Sequence, residues 1–118
     1  KDLFMSNFAE YLNQLRTSKR IGVRELGRTV GVTGMHISNM EKGKSLPSPA
    51  LIVKLAEALE TDVDEMSHRA NQVAPEVTKV IQDQPKAVPN FLRSAKDLTP
   101  EQWEILQKQA EAMASEKK

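Results

Sequence analysis

The sequence predicts an all-α fold, in which five short helices form a compact domain and a small helical segment follows. Apolar residues recur at helical rather than strand spacing, as Phe8, Leu12 and Leu15 do at positions i, i+4 and i+7. Residues that begin and end helices punctuate the chain at short intervals. Further along, the texture changes to a proline-containing stretch, so we place the two domains at residues 1–70 and 71–118.

Helix-capping residues set the expected boundaries of the first five helices. Gly31 stands where a helix needs a left-handed C-terminal residue, and Thr33 is a good N-cap for the helix that follows. Ser48 is the expected N-cap of the fourth helix, with proline at its first position. Asp62 and Glu65 have the spacing of an acidic capping box for the fifth. The expected helices span residues 7–18, 23–30, 34–42, 49–59 and 63–69.

The C-terminal segment is divided by prolines into brief helical pieces. Its last piece has clear signals, because Thr99 is the N-cap, Pro100 is the first helical residue and Gln102 completes a capping box. This helix is expected to continue to about Ala114. Its apolar residues form a narrow stripe of coiled-coil type: Trp103, Leu106, Ala110 and Met113.

The composition excludes several classes of protein. The chain has no cysteine, and hence no disulfide or thiolate metal site. Its two histidines, His36 and His68, have no partner at metal-ligand spacing. No apolar run approaches the roughly 18 residues of a membrane span, and no signal-peptide pattern opens the chain. We expect no cofactor, no metal and no membrane association.

The net charge of +1 conceals an uneven distribution. Residues 16–44 contain seven basic and two acidic residues, which is a net charge of +5. Residues 57–65 contain five acidic residues and no basic one. A basic patch beside an acidic one is typical of a protein that binds a polyanion on one face. On charge alone, a mixed and solvated surface explains the pattern equally well.

Residues 23–42 have the pattern of two short helices joined by "GVT". This is a helix-turn-helix arrangement, whose second helix enters the major groove of DNA. On the second helix, Ile37, Met40 and Glu41 share the face toward the core. A plain surface helix in a small bundle would have a similar pattern. The opposite face is small, polar or basic, as a helix that reads the groove requires, and consists of Gly34, Met35, Ser38, Asn39 and Lys42.

The wider sequence removes that ambiguity. The stretch "LRTSKRIGVRELGRTVGVTGMHISNMEKGKSLPSPALIVKLAEAL" closely resembles the lambda-repressor/Cro-like (XRE) family of bacterial and phage regulators. The matching marks are "REL", "GVT", "IS..EKGK", "PS" and "LAEAL", and the resemblance covers residues 7–68. It implies a five-helix lambda-repressor-like DNA-binding domain in a transcriptional regulator. It also implies an inter-helix ion pair between Arg16 and Glu41 beside the DNA backbone.

The resemblance and the side-chain chemistry together predict the residues that read bases. The family places base readers at the positions of Thr33, Gly34, Met35 and Asn39, and Ser38 is a secondary contact. Gly34 would let the helix terminus approach DNA closely. Met35 suits a thymine methyl group, and Asn39 can make a bidentate contact to adenine. The predicted readout therefore favours A·T pairs.

Basic side chains around the helix are the expected phosphate contacts, which position the protein without specifying sequence. Three departures from the family pattern affect this region, and one of them is the pair Gly34–Met35 at the start of the second helix. Gly27 stands where alanine is usual, and Val23 stands where a phosphate-binding glutamine is common. The predicted phosphate contacts are Arg16, Arg24, Arg28, His36, Lys42 and Lys44.

The C-terminal segment is the expected dimerisation surface, because one such module reads too few base pairs and usually pairs on a palindrome. The alternative is that its last helix packs back on its own domain. The segment also resembles, more weakly, that of repressors partnered with ImmA/IrrE-type metallopeptidases, which implies release by cleavage. The predicted dimer contacts are Phe91, Leu92, Trp103, Leu106, Ala110 and Met113.

The leading hypothesis is a dimeric repressor that binds a palindromic operator through helix 34–42 and has no catalytic activity. The alternative is an antitoxin-type protein that autoregulates its operon and binds a toxin through the C-terminal segment. A restriction–modification controller is a further possibility, although these usually lack a long extension. An enzyme is disfavoured, since neither histidine has a paired serine or cysteine and no glycine-rich phosphate loop exists. We expect a cytoplasmic, nucleoid-associated protein of bacterial or phage origin.

Overall fold

The structure, a computed structural model, describes the backbone of residues 3–116 and the side chains of residues 8–116. It is all-α, as predicted, and residues 3–116 contain no strand. The helices are α1 (Leu3–Ser18), α2 (Val23–Val30), α3 (Gly34–Glu41), α4 (Pro49–Ala58), α5 (Val63–Arg69), α6 (Pro75–Asp83), α7 (Ala87–Ala95) and α8 (Pro100–Glu116).

The predicted boundaries of α2 and α5 are confirmed, and three others differ. Helix α1 begins at Leu3 rather than near residue 7, because a helix can continue past the first residue of its apolar stripe. Helix α3 ends at Glu41 and α4 at Ala58, each one residue early. At both ends the next residue takes φ near −90° and ψ near 0°, which tightens the last turn.

Contacts divide the chain into two compact units, one reaching Lys79 and the other starting at Val80. The first unit therefore extends past residue 70, where composition places the domain boundary. Ala74 is buried, and Gln72 Nε2 donates a 2.6 Å hydrogen bond to the carbonyl of Pro47. The segment that follows α5 is thus anchored to the loop that precedes α4.

Helices α1 to α5 of the first unit enclose one hydrophobic core. Burying a leucine, isoleucine or phenylalanine side chain contributes about 1.5–3 kcal/mol, so this cluster provides most of the favourable energy of the unit. The core consists of Phe8, Leu12, Leu26, Val30, Ile37, Met40, Leu51, Ile52, Leu55, Ala56, Leu59, Met66 and Ala70.

All five of these helices are followed by a residue with positive φ. The glycines that the sequence suggests for this role do take it, with φ of 84° at Gly31 and 76° at Gly43. The other three positions hold Arg20, Glu60 and Asn71, with φ between 56° and 59°. After each, the next amide bonds back to a carbonyl five residues earlier, which satisfies the carbonyls left free at the helix end.

The predicted N-caps Thr33, Ser48 and Asp62 are all confirmed, but one predicted capping box does not form. Thr33 and Ser48 accept hydrogen bonds from the amides three residues later, at 3.0 and 3.1 Å. The predicted capping box of α5 is wrong. Asp62 instead accepts from the amide two residues later, and Glu65 bonds to Arg69 Nε at 2.7 Å because the guanidinium one turn along competes for its carboxylate.

In the second unit, α7 and α8 carry mostly exposed side chains. Pro89 lies in the first turn of α7, where no amide donor is needed. The capping box of α8 forms as predicted, since Thr99 and Gln102 exchange two hydrogen bonds of 3.0 and 3.2 Å. None of the helices within residues 3–116 has the length and apolar character to cross a membrane.

Candidate nucleic-acid interface

Helix α3 packs against α1 and α2, and its buried side chains lie on one face. Ile37 and Met40 on this inner face are fully buried, as predicted. Thr33 Oγ1 accepts from the His36 amide at 3.0 Å and so starts the helix at the turn. The helix is thereby held as a fixed element with its other face outward.

The turn between α2 and α3 is closed by glycines. A Cβ atom at Gly27 would lie 2.6 Å from the carbonyl oxygen of Val32, and Cβ atoms in proteins essentially never lie within 3.0 Å of such a neighbouring atom. The alanine that is usual in the family therefore does not fit without a movement of the turn backbone. Gly31, at φ 84°, ends α2 in the left-handed conformation that glycine adopts freely.

Gly34 serves helix packing. A Cβ atom there would lie 3.2 Å from Arg24 Cγ and 3.3 Å from Arg24 Cα, which is a tight contact. The missing side chain lets the first residue of α3 lie directly against α2. A close approach of this terminus to DNA stays a prediction, and the structure supplies a separate reason for the glycine.

The outer face of α3 carries the remaining predicted base readers. The Met35 side chain is 70% exposed, and Ser38 and Asn39 are half-buried. Among the described residues, the side chains of Ser38 and Asn39 have no hydrogen-bond partner, so their polar atoms are available to a ligand. Thr33 uses a lone pair as the N-cap and keeps its hydroxyl proton to donate.

The predicted ion pair between α1 and α3 is present. Arg16 Nε and Nη2 donate to the two carboxylate oxygens of Glu41 at 2.6 and 3.0 Å, and Asn13 Nδ2 donates to the same carboxylate at 2.8 Å. Arg16 Nη1 also donates to the carbonyl of Ile21 at 2.8 Å. The hydrogen bond to Glu41 raises the pKa of Arg16 above its ordinary value. Only two of the five guanidinium N–H groups remain for a phosphate.

The other predicted phosphate ligands differ in their surroundings. Arg24, Arg28, Lys42 and Lys44 are exposed, and none of them pairs with an acid in the part of the chain that the structure describes. Arg24, on α2, lies beside Gly34 at the start of α3, whereas Lys42 and Lys44 follow the end of α3 in the chain. His36 is half-buried on the same helix. Unpaired cations at both ends of an exposed helix suit a polyanionic ligand.

Arg28 lies one turn further along α2 than Arg24. With Lys54 and Glu57 it lines an open cleft between α2 and α4. Sequence spacing predicts only that Arg28 shares a face with Arg24. The fold adds Lys54 to this neighbourhood, which the sequence does not indicate.

The acidic stretch 57–65 has two basic neighbours, one from a distant part of the chain and one from the same helix. Lys19 Nζ lies 2.9 Å from Glu60 Oε1, and this hydrogen bond lowers the pKa of Glu60 below its ordinary value. Glu65 pairs with Arg69, whose guanidinium lies 4.3 Å from the centre of the Tyr11 ring. Within the described residues, no group of three or more histidine and acidic side chains could hold a metal ion.

A short glycine-closed turn, a buried inner face and an exposed helix flanked by cations define a helix-turn-helix module of the kind that binds DNA. A family model of the helix-turn-helix domain matches residues 7–68, and the chain belongs to this family, as an XRE-like regulator. The resemblance of residues 7–68 to the XRE family is thereby confirmed. The family consists of transcription regulators, which are typically not enzymes.

Known relatives agree with this assignment. The HTH-type transcriptional repressor RghR of Bacillus subtilis (strain 168) is 34% identical over 113 residues, covering 89% of this chain and 83% of RghR. The restriction–modification controller protein C.AhdI of Aeromonas hydrophila is 29% identical with a TM-score of 0.50, covering 52% of this chain and 94% of C.AhdI. The clp gene regulator ClgR of Corynebacterium glutamicum shares the fold, with a TM-score of 0.53 at 20% identity, over 80% of this chain and 95% of ClgR.

Proposed function

We propose that this chain is a dimeric transcriptional repressor that binds a palindromic operator by inserting α3 into the major groove. The observation that carries the proposal is the one-sided burial of α3. Its inner face is locked by core contacts and by the Arg16–Glu41 pair, while its outer face is free and bordered by unpaired cations. The similarity to the repressor RghR supports repression rather than activation of transcription.

Base readout is assigned to Asn39 and Met35. The free Asn39 amide can donate to and accept from one adenine edge, whereas the exposed Met35 thioether can only make apolar contact with a thymine methyl group. Ser38 and the Thr33 hydroxyl supply adaptable secondary contacts. The operator half-site is therefore expected to be rich in A·T pairs, with much of the affinity coming from phosphate contacts.

Dimerisation is assigned to the second unit. Two recognition helices must lie about 34 Å apart to reach successive major grooves of a palindrome. The second unit exposes several large apolar side chains, among them Phe91, Leu92, Trp103 and Met113, which a partner would cover. Leu106 and Ala110 complete the same surface.

The test is selection of bound DNA from a random pool, with the full chain and with a chain ending at Lys79. We expect the full chain to enrich an A·T-rich palindrome and the shortened chain to enrich a half-site or to bind weakly. No enrichment by the full chain would refute DNA binding. A palindrome bound equally well by both chains would refute dimerisation through the second unit.

The assignment of Asn39 is tested on the selected operator. Asn39→Ala should weaken binding by about 1–3 kcal/mol, and the loss should vanish when the contacted A·T pair is changed. Gln14→Ala is the matched control, because Gln14 is an exposed amide on α1 and is not part of the recognition helix. Unchanged affinity of the Asn39→Ala variant would show that another residue reads this base.

The exposed apolar surface of the second unit also suits an antitoxin-type protein, in which it would bind a toxin. Co-purification of a second small protein with the full chain would favour that function. A regulatory metallopeptidase would instead shorten the second unit and release the operator. In each case we propose a cytoplasmic, non-enzymatic, nucleoid-associated regulator.

A further inference from the structure

Helix α8 has one continuous face without charge. Residues spaced by three, four and three positions form its centre, and the glutamines at 102, 107 and 109 border it. Two charged residues of the helix body, Lys108 and Glu111, lie on the opposite side by helical geometry. The centre consists of Trp103, Leu106, Ala110 and Met113.

Within the described residues this face is largely exposed, although Leu106 is half-buried. Trp103 is 37% exposed and Met113 is 62% exposed. The ring of Phe91 on α7 meets the Trp103 ring edge to face, with centroids 6.1 Å apart and planes at 81°, which holds the indole in place. Beside it lies an open groove of about 560 Å³, lined by Phe91, Pro100, Trp103, Glu104, Leu106, Gln107 and Ala110.

We infer that this face binds α8 of a second copy of the chain in antiparallel orientation, with Trp103 against Met113 and Leu106 against Ala110 of the partner. The inference rests on the dimeric repressor proposed above and specifies its interface. Both pairings place the two-fold axis at the level of residue 108. The symmetry repeats each pairing once, and therefore a single register aligns all four residue pairs across the interface. The partner's Leu106 would occupy the part of the groove above Ala110.

Side-chain size favours the antiparallel arrangement. In parallel helices each residue meets its own copy, so a layer of two tryptophans would be followed by layers of two leucines and two alanines. The layer of two tryptophans would be overpacked and the layer of two alanines would leave a cavity, and both defects are destabilising. Antiparallel pairing places a large residue opposite a smaller one in every layer. It also brings the positive end of each helix dipole near the negative end of the other.

Charge favours a second copy over a charged partner. The residues that flank the stripe are glutamines, so two copies meet without like-charge repulsion at the edges of the contact. Glu104 is the one charged residue among those that line the groove, so an acidic partner segment would meet no opposite charge there and a basic one only a single carboxylate. The stripe covers less than two full heptads, and therefore the contribution of Phe91 from α7 is needed for a stable contact.

Disulfide cross-linking tests the orientation, and the absence of native cysteine removes any background. Leu106→Cys and Ala110→Cys chains are prepared separately, shown to be dimeric by sedimentation, and oxidised alone or mixed. We expect a covalent dimer in the mixture and none from either chain alone, because only the 106–110 pair brings two Cα atoms within about 7 Å. An Ile105→Cys and Ala112→Cys mixture is the control, since these residues lie at the same level on the outer face.

Each result decides the question. Cross-linking of Ala110→Cys with itself would establish parallel pairing and overturn the inference. An unmodified chain that dimerises while no pair cross-links would place the interface elsewhere, and the inference would fail while the dimeric repressor stands. An unmodified chain that is monomeric would refute the dimer itself.

The single tryptophan gives a second measurement that needs no cysteine. On dilution, the Trp103 emission should shift to longer wavelength as Met113 of the partner is withdrawn. Met113→Gln should raise the concentration at which this shift occurs by roughly tenfold or more, whereas Ile105→Gln should leave it unchanged. Ile105 is a suitable control because it is 56% exposed on the same helix and lies off the stripe. Equal effects of the two substitutions would contradict the proposed contact.

Discussion

Replacing Glu41 by glutamine tests how α3 is held. In the wild-type chain the Glu41 carboxylate accepts three hydrogen bonds, two from Arg16 and one from Asn13, at 2.6–3.0 Å. Glutamine keeps the size of the side chain but removes its charge and one acceptor oxygen. The Arg16 guanidinium then keeps its bond to the carbonyl of Ile21 and loses its counter-ion.

The magnitude follows from burial. Removing one partner of a fully buried ion pair costs about 3–5 kcal/mol, because the other charge stays desolvated. Here the side chains of Arg16 and Glu41 are 14% and 9% exposed, so water can reach part of the guanidinium. Glutamine also retains one acceptor. We therefore expect Glu41→Gln to lower the free energy of unfolding of the first unit by about 2 kcal/mol.

The assay is a urea titration followed by backbone amide signals of α1 to α5, because Trp103 reports only on the second unit. The matched control is Glu25→Gln, an exposed acid on α2 without an ion-pair partner among the described residues, which should change stability by less than about 0.5 kcal/mol. In the double variant Arg16→Met/Glu41→Gln, the combined loss should fall short of the sum of the single losses by at least about 1 kcal/mol. Additive losses, or a Glu41→Gln loss equal to the control, would refute the argument that this pair fixes α3.

Three further predictions concern the backbone. Gly27→Ala should destabilise the first unit by about 1–2 kcal/mol and weaken DNA binding, because the methyl group meets turn backbone at 2.6 Å and this outweighs the gain in helix propensity. In a melting experiment Gly22→Ala should be less destabilising, because a Cβ atom there meets nothing within 4 Å and only the N-cap preference for glycine over alanine is lost. Arg20→Gly should raise the free energy of unfolding by about 0.5 kcal/mol, because glycine adopts the positive φ of this position without strain. Gln14→Gly, in a helix interior, should lower the free energy of unfolding. If both substitutions lower it, Arg20 makes a stabilising contact of its own. Thr99→Ala should reduce the stability of α8 by about 1 kcal/mol and lower the hydrogen-exchange protection of amides in its first turn. Thr99→Ser should restore this protection. Equal protection in the wild-type chain and both variants would disprove the cap.

Local signals explain why the helices could be predicted. Thr33, Ser48 and Thr99 accept from amides a few residues away, so their role is visible in a short window of sequence. The same reasoning failed for Glu65, because an arginine one turn later competes for its carboxylate. Sequence reasoning also did not predict the left-handed conformation of Arg20, because only residues such as glycine and asparagine are recognisable signals of that conformation.

The candidate site could be predicted only in part for a similar reason. Helical periodicity placed Ile37 and Met40 inside and Met35 outside, and the structure agrees. The ion pair of Arg16 and Glu41 was inferred from family resemblance, and Asn13, its third member, carried no signal. Whether Asn39 and Met35 read bases stays a prediction.

By itself, the sequence determined the all-α fold, the order and approximate ends of its helices, and the uncharged face of α8, because each depends on residues within one or two helical turns. Only the tertiary structure decided that Gly34 lies against Arg24, that Asn13 joins the pair at Glu41, and that Lys19 reaches Glu60 across 41 positions of the chain. These contacts join helices whose separation and orientation come from packing of the shared core. No periodicity within one helix encodes that geometry.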